Sequence, residues 1–297
     1  MDNEKLLSLL VKYQKAFINE KKTLNASNNT LSVYNYILDE FYEFIVEDGT
    51  IYDILEIDKS YVLSFVTNNE KASTNTKSLK LSIMKSFLSF IEEEEHLDGK
   101  LTYSLKKLTI KKESIEVEAL DDEEVIKLLE YLRTKKVSFN SVRDRLLIKL
   151  ILFTGVRASE CLGIKLSDLS LVEDDTVYKV RVFGKGSKER FVYIAADKIN
   201  RELEYLNEFL VDYIAITNKN KAMSRIGLYK MISNKMRAAG IYKKGVHILR
   251  HTFARRLVAK NINLVTISEL LGHTNISMTA KVYAKSNEGN KIRAVLG

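Results

Sequence analysis

Apolar residues recur three or four positions apart along most of this chain, and the period changes between residues 176 and 195. There TVYKVRVF alternates, GKGS follows, and KERFVYIA alternates again. Alternation on both sides of a glycine-bearing turn predicts a β-hairpin, whereas the spacing elsewhere predicts amphipathic helices. The sequence therefore predicts a mainly α protein with one small antiparallel β-hairpin or sheet in its C-terminal part.

The first hundred residues contain helical patterns with little else. The predicted helices cover residues 4–19, a segment after Asn29-Thr30, the stretch Val62–Val66, and about 76–95. Residues 109–119 are polar and lack a helical face, which predicts a linker. A chain of 297 residues can bury two cores. We therefore expect a helical domain at 1–108 and a second domain at 120–297.

The second domain begins with a helix-start signal. Asp121 and Glu124 form an Asp-x-x-Glu pair ahead of an apolar run, which is typical of a capped helix. Further helices are predicted over 141–153, from near Arg157, and at about 197–215, 223–239, 247–260, 263–271 and 276–285.

The charge is distributed unevenly. Residues 1–100 contain 11 Lys+Arg and 17 Asp+Glu, whereas residues 101–297 contain 36 and 22. A basic C-terminal part favours a polyanionic partner, although a solubilising surface explains the charge equally well. No apolar run approaches the ~20 residues that span a bilayer, and the acidic N-terminus does not resemble a secretory signal. With Cys161 the single cysteine, these features predict a cytoplasmic protein without a membrane partner.

Three of the four histidines lie in the last 51 residues, around an arginine and ahead of a tyrosine. They occur as His247-x-x-Arg250-His251, then His273, then Tyr283. Cations, imidazoles and a phenol together suit attack on a phosphodiester. Two histidines four residues apart also suggest zinc, but the usual glutamate is absent and an arginine between them would repel a dication. We therefore expect no metal at these histidines.

Two upstream motifs are weak when taken alone. In TGVRASE, Arg157 follows a glycine turn and could hold a phosphate with its guanidinium, with Glu160 supporting it. The same pair is also an ordinary i, i+3 pair on a helix surface. In GKGSKER, Lys185 at the hairpin tip could donate a proton, or could be a generic basic turn residue. The spacing is not that of a phosphate-binding P-loop.

Taken together and in this order, the motifs TGVRASE, GKGSKER, HILRHTFA, LGH and VYAK resemble those of the tyrosine recombinases, the phage-integrase and Xer-type family. The resemblance spans essentially the whole chain. It implies a two-domain architecture, with a helical, SAM-like core-binding domain followed by a mixed α/β catalytic domain. The two domains would enclose double-stranded DNA at a recombination site.

The resemblance also implies a site-specific recombinase that works without cofactor or metal. Tyr283 would attack the scissile phosphate to form a 3′-phosphotyrosyl link, while Arg157 and Arg250 bind its nonbridging oxygens. The implied catalytic residues are Arg157, Lys185, His247, Arg250, His273 and Tyr283. Lys185 would protonate the 5′-oxygen, His247 would assist proton transfer near the tyrosine, and His273 would donate to a phosphate oxygen. Glu160 and His251 would have supporting roles.

Strand exchange in this family passes through a Holliday junction, so the resemblance implies self-association to a tetramer on DNA. A paralogue or an accessory regulator remains possible as a further partner. Chromosome or plasmid dimer resolution and mobile-element integration or excision fit equally well. Two alternatives use the same fold: a type IB topoisomerase-like enzyme that relaxes DNA, and a DNA-binding protein that does not cleave.

The chain departs from the family pattern in a few places. Tyr283 lies ten residues after His273, where Xer-type members more often have nine, and Ala284-Lys285 follows it. Arg255-Arg256 replaces the usual small residues after HTFA, and we expect both arginines to contact backbone phosphates. Because the first hundred residues are acidic overall, we expect their DNA contact to be local. The predicted contact residues share one helix: Lys77, Lys80 and Lys85.

Overall fold

The structure is a computed structural model and describes residues 4–111, 117–184, 188–209 and 212–273. The chain divides into two compact units, Met1–Ile115 and Glu116–Gly297. None of the helices in these described ranges is long and apolar enough to cross a membrane.

Unit 1 consists of helices. They are α1 (Glu4–Thr23), α2 (Asn28–Asp48), α3 (Lys59–Thr67) and α4 (Thr74–Glu94). The second and fourth helices begin three and two residues earlier, respectively, than the hydrophobic pattern suggested. Ser27 and Ser73 cap them by accepting hydrogen bonds from the backbone N–H groups of Thr30 and Thr76.

Aromatic residues lie in the core of unit 1, as their helical spacing predicts. Phe17, Phe41, Phe65 and Phe87 are all at most 1% exposed. The rings of Phe17 and Phe87 lie 5.4 Å apart and those of Phe41 and Phe65 lie 5.0 Å apart, both edge to face. Edge-to-face ring pairs stabilise the core beyond the burial of apolar area and favour one arrangement of the rings.

Unit 2 surrounds one buried helix. Its elements before the sheet are α5 (Asp122–Arg133), α6 (Phe139–Thr154) and α7 (Ala158–Leu162). Those after the sheet are α8 (Asn200–Asn207), α9 (Arg225–Ala238), α10 (Val246–Ala259) and α11 (Leu264–Leu271). Helix α6 packs against α8, α9 and α10, so its apolar residues are buried on nearly all sides. The predicted cap of α5 is present, because the Asp121 carboxylate accepts from the N–H of Glu124 at 2.8 Å and Glu124 reciprocates.

The predicted hairpin is part of a three-stranded antiparallel sheet. Strands β1 (Leu169–Val172), β2 (Val177–Phe183) and β3 (Glu189–Ala195) lie in that order, and Arg181 pairs with Phe191 in the register. Val180, Val182, Val192 and Ile194 face the core. Strand β1 was not predicted, because four residues carry too little alternation to be recognised. The fold class, mainly α with a small antiparallel sheet, is confirmed.

One predicted helix was too long. The pattern suggested a helix over 197–215, but α8 ends at Asn207. Residues from 212 onwards instead pair with the segment after α7: the N–H of Leu166 donates to the carbonyl of Asp212 at 2.9 Å, and Ile214 donates to Ile164 at 3.1 Å. Burial of Ile214 and Ala215 in this extended pairing outweighs their helical spacing. The helix predicted over 276–285 lies outside the described residues.

Candidate active site

Arg250, on α10, connects the ends of two other helices. Gly155 ends α6 in the left-handed conformation, and its carbonyl accepts a hydrogen bond from Arg250 Nη1 at 2.6 Å. Arg250 Nη2 donates to the carbonyl of Leu271, at the end of α11, at 2.7 Å. Carbonyls at a helix C-terminus lack intrahelical partners and carry partial negative charge, so a guanidinium suits both. The arginine is only 8% exposed and its head is therefore held in one orientation.

Arg157 is anchored by Glu160 and by the turn after α11. Its Nη1 donates to Glu160 Oε1 at 2.9 Å, its backbone N–H donates to Oε2 at 2.7 Å, and its Nη2 donates to the carbonyl of Gly272 at 2.7 Å. The Arg157 side chain is 39% exposed, whereas that of Glu160 is 1% exposed. A buried carboxylate thus orients a cation that remains accessible.

The charge of Glu160 is kept by its surroundings. Burial raises the pKa of this carboxyl, but the Arg157 backbone N–H and the charge of Arg190 outweigh burial and hold the pKa below its usual value. Glu160 is therefore an anion at neutral pH and balances the arginines around it.

His273 follows α11 directly and touches Arg250. Its Nε2 lies 3.0 Å from Arg250 Nη2. An arginine can only donate, so Nε2 is the acceptor and the neutral ring carries its proton on Nδ1. Burial, and then the charges of Arg250, Arg157 and Arg190, lower the pKa of His273 to about 4. His273 is consequently a neutral imidazole at physiological pH.

His247 and His251 lie one turn apart on α10, with ring centroids 5.9 Å apart and rings nearly perpendicular. His247 is exposed, whereas His251 is half-buried. Burial is the main cause that lowers the pKa of His251 to about 4, and the charge of Arg250 adds to it. Within the described ranges, no cluster of three or more His, Cys, Asp or Glu side chains could hold a metal ion.

A cleft opens over these groups. Its polar lining consists of Arg157, Ser159, Arg225, Tyr229, His247, Arg250 and His251. Arg225 and Tyr229 were not identified from the sequence. The one sequence signal near them is Ser224, which caps α9 and so places Arg225 at the first helical position. Capping fixes where the helix begins but does not indicate that it borders the cleft.

Gly272 permits the close approach of two arginines. It adopts φ +62°, and a Cβ at this position would lie 2.6 Å from Arg190 Nε and 3.3 Å from Arg157 Nη1. The sequence predicted only that Gly272 ends a helix, which is confirmed by its left-handed cap conformation. The proximity of the two guanidinium groups is a second physical reason why this position requires glycine.

Two predicted catalytic residues, Lys185 and Tyr283, lie outside the described residues. The base of the hairpin that carries Lys185 is described, and there the N–H of Gly184 donates to the carbonyl of Lys188 at 2.8 Å. Of the arginines on α10, Arg255 is exposed, and Arg256 Nε lies 3.4 Å from Asp122 Oδ1.

Lys80 corrects the prediction of a lysine face on α4. Its side chain is 5% exposed, its ammonium pairs with Glu40 and lies 4.8 Å from the centre of the Phe65 ring. Because Lys80 neutralises a carboxylate inside unit 1, it cannot face DNA. Lys85 donates to the carbonyl of Leu108 at 2.6 Å, and Lys77 lies 3.4 Å from that of Glu70. These two are partly buried, and their DNA contacts remain predictions.

Comparisons with known proteins match the chain in both units. The phage integrase family matches residues 118–290, and the phage integrase N-terminal SAM-like domain matches residues 7–95. The tyrosine recombinase XerC of Staphylococcus aureus is 31% identical over 285 residues, which cover 93% of this chain and 92% of XerC.

Two solved structures resemble the chain in fold. The XerH site-specific recombinase bound to a palindromic difH substrate superposes with a TM-score of 0.79 and 27% identity, over 92% of this chain and 81% of XerH. A lambda integrase tetramer bound to a Holliday junction superposes with a TM-score of 0.68 and 17% identity, over 90% and 77% of the respective chains.

The helical, SAM-like first unit and the arginine-lined cleft of the second unit belong to a chain whose two family matches are those of enzymes that break and rejoin DNA through a tyrosine. The chain belongs to the phage integrase family of tyrosine recombinases. The predicted two-domain recombinase architecture and the predicted reaction, site-specific breakage and rejoining of DNA, are confirmed at this level. The matching proteins are recombinases and integrases and give no support to the topoisomerase-like or non-cleaving alternatives.

Proposed function

We propose that Arg157, Arg250 and His273 bind the scissile phosphate of a DNA recombination site while Tyr283 attacks it. One observation carries this proposal: the two arginines are bound by consecutive carbonyls, Gly272 for Arg157 and Leu271 for Arg250, directly before His273. Arg157 and Arg250, which are 93 positions apart in the chain, thus converge on the end of α11, and both line the cleft.

The two guanidiniums suit the transition state of phosphoryl transfer. Each is always protonated and presents a planar fork that matches phosphate oxygens. Since both heads are already fixed by carbonyls and by Glu160, little reorganisation accompanies the growth of charge on the nonbridging oxygens. Preorganised donors of this kind contribute on the order of 10²- to 10³-fold each to the rate.

His273 donates to a nonbridging oxygen in this proposal, and its present contact has a consequence for that role. Its Nε2 accepts from Arg250, so Nε2 must gain a proton, or Nδ1 must turn inward, when the phosphate arrives. The anion itself favours this change, because a phosphate oxygen replaces a cation as the neighbour of the ring.

Cleavage exchanges one phosphorus–oxygen bond for another and moves two protons. The Tyr283 hydroxyl forms the new phosphorus–oxygen bond and gives its proton to His247, which is exposed on α10. The bond from phosphorus to the 5′-oxygen breaks, and Lys185 protonates that oxygen. The phosphotyrosyl ester conserves the phosphodiester energy, so the 5′-hydroxyl of a partner strand can reverse the step and join the exchanged ends.

We propose double-stranded DNA carrying a recombination site as the partner, and a tetramer as the state in which strands exchange. The XerH complex with its difH substrate and the lambda integrase tetramer on a Holliday junction support this assembly by likeness. We place the enzyme in the cytoplasm, because the relatives it resembles are bacterial and bacterial genomic DNA lies in that compartment. Sequencing DNA trapped covalently on the protein in cells would identify the site and separate dimer resolution from mobile-element integration.

The decisive experiment uses a nicked suicide substrate that carries the DNA site identified by covalent trapping. The wild-type chain should form a covalent 3′-adduct, and Tyr283→Phe should form none. Tyr242→Phe is the matched control, since Tyr242 belongs to unit 2 and is 84% exposed. An adduct in Tyr283→Phe, or none in the wild type, would overturn the assignment. A plasmid carrying two sites should give recombinants, and relaxation without recombinants would favour the topoisomerase-like alternative.

A further inference from the structure

Arg190, on β3, is a third arginine in contact with the C-terminal end of α11. Its Nη1 donates to the carbonyl of Leu270 at 2.6 Å, and its Nη2 donates to Glu160 Oε2 at 2.7 Å. The side chain is 15% exposed and does not line the cleft. It therefore contacts the groups that orient the phosphate-binding arginines.

The three arginines are bound by three consecutive carbonyls. Leu270 accepts from Arg190, Leu271 from Arg250 and Gly272 from Arg157. We call Arg157, Arg190 and Arg250 the arginine triad. The end of a helix offers carbonyls without intrahelical partners and a partial negative charge, so it can bind several cations side by side.

Glu160 connects Arg190 to Arg157 a second time. One carboxylate oxygen accepts from Arg157 Nη1 at 2.9 Å, and the other accepts from Arg190 Nη2 at 2.7 Å. Gly272, whose carbonyl binds Arg157, also packs directly against the Arg190 side chain. Both anchors of Arg157 are consequently in contact with Arg190.

The contacts of Arg190 are not those that stability alone would select. Its Nε is buried without a hydrogen-bond partner among the residues that the structure describes. A buried donor without a hydrogen-bond partner destabilises the folded protein. An apolar side chain would avoid this loss of stability, which favours a role of Arg190 in the site.

We propose that Arg190 is a positioning residue for DNA cleavage, which fixes Glu160 and the end of α11 so that Arg157 meets the scissile phosphate in the correct orientation. This inference rests on the proposed function. Arg190 lies five residues after Lys185 in the sequence. Its contacts also attach β3 to the segment that precedes His273.

The test measures covalent adduct formation in a single turnover, with the full chain and saturating suicide substrate. Arg190→Met should slow it by roughly 10- to 100-fold, the usual effect of misplacing a reacting group by about an ångström. DNA affinity should stay within about threefold of the wild type, because Arg190 does not touch the phosphate. Arg190→Lys, which can bind Glu160 or Leu270 but not both, should give an intermediate rate.

Arg181→Met is the matched control, since Arg181 lies on the neighbouring strand and pairs with Asp168 at 2.8 Å outside the cleft. It should leave the rate within about threefold of the wild type. Because Arg190 acts through Arg157, Arg190→Met should slow an Arg157→Lys chain by much less than it slows the wild type. Circular dichroism at the assay temperature shows that each variant is folded.

The outcomes separate the two proposals. If the wild type forms no Tyr283-dependent adduct, the proposed function fails. If the wild type reacts and Arg190→Met reacts within threefold of it, or slows no more than Arg181→Met does, the positioning role alone is wrong. A defect that appears only as weaker DNA binding, with an unchanged rate at saturation, would also overturn it.

Discussion

Arg250 Nη2 lies 3.0 Å from His273 Nε2, while the same guanidinium donates to the carbonyls that end α6 and α11. One buried side chain therefore fixes the geometry between two helix ends and a neutral imidazole. Removal of this side chain affects both the fold and the cleft, and the two effects can be measured separately.

Arg250→Lys should slow adduct formation by about 10²- to 10³-fold. A single ammonium cannot reach both carbonyls and also present a fork to phosphate, so the free energy of unfolding should fall by about 1–3 kcal/mol. Urea denaturation and the suicide substrate measure the two effects. Arg237→Lys, at an exposed position on α9, is the control and should stay within about 0.5 kcal/mol of the wild type. Wild-type cleavage by Arg250→Lys would contradict the proposed role.

Gly155→Ala should destabilise the protein more than Gly240→Ala. Both glycines have positive φ, +67° and +78°, so both substitutions carry backbone strain of about 1–2 kcal/mol. A Cβ at Gly155 would also lie 2.4 Å from Phe253 Cδ1, whereas one at Gly240 has no atom within 4 Å. Overpacking adds about 1–3 kcal/mol for Gly155 alone. Equal losses in urea denaturation would show that the packing around Phe253 yields easily.

The stability of unit 2 should decrease in mild acid because of its two half-buried histidines, His251 and His273. The pKa values of His251 and His273 are lowered to about 4, whereas an unfolded chain has a histidine pKa near ~6.5. Between these two pKa values the unfolded state binds more protons than the folded state. The free energy of unfolding is therefore highest above pH ~6.5 and decreases as the pH falls towards 4. Urea denaturation at pH 7.5, 6.0 and 5.0 should show this decrease, and His251→Gln should make it shallower. A slope identical to that of the wild type would mean that His251 is not desolvated.

Lys80→Met should destabilise unit 1 without altering the salt dependence of DNA binding. The substitution keeps an apolar stem but removes the partner of Glu40, which should cost about 1–3 kcal/mol. Since Lys80 neutralises a carboxylate and not a phosphate, the slope of log Kd against log salt should stay constant. Lys71→Met, at an exposed position, is the stability control. A reduced salt slope for Lys80→Met would restore the DNA-facing prediction for this lysine.

Local patterns in the sequence were sufficient for several parts of this protein. The period change at 176–195 predicted β2 and β3, and the Asp121–Glu124 pair predicted the start of α5, because turns and caps depend on residues a few positions apart. The order of the motifs also predicted the family. Which of these residues meet in space was not determined by such local rules.

The tertiary structure alone decided which partner each charged group has. Arg157 and Gly272 are 115 positions apart, and Arg190 and Leu270 are 80 apart, so no local spacing predicts the three consecutive carbonyls of the arginine triad. Lys80 has the same helical spacing as an exposed lysine, and only the packing of α2 beside α4 turns it towards Glu40. Residues 212–214, which have helical spacing, likewise pair with 164–166 instead of continuing α8. Burial in the assembled unit decided the partner of each charged group, and after α8 it also overrode the local helical spacing.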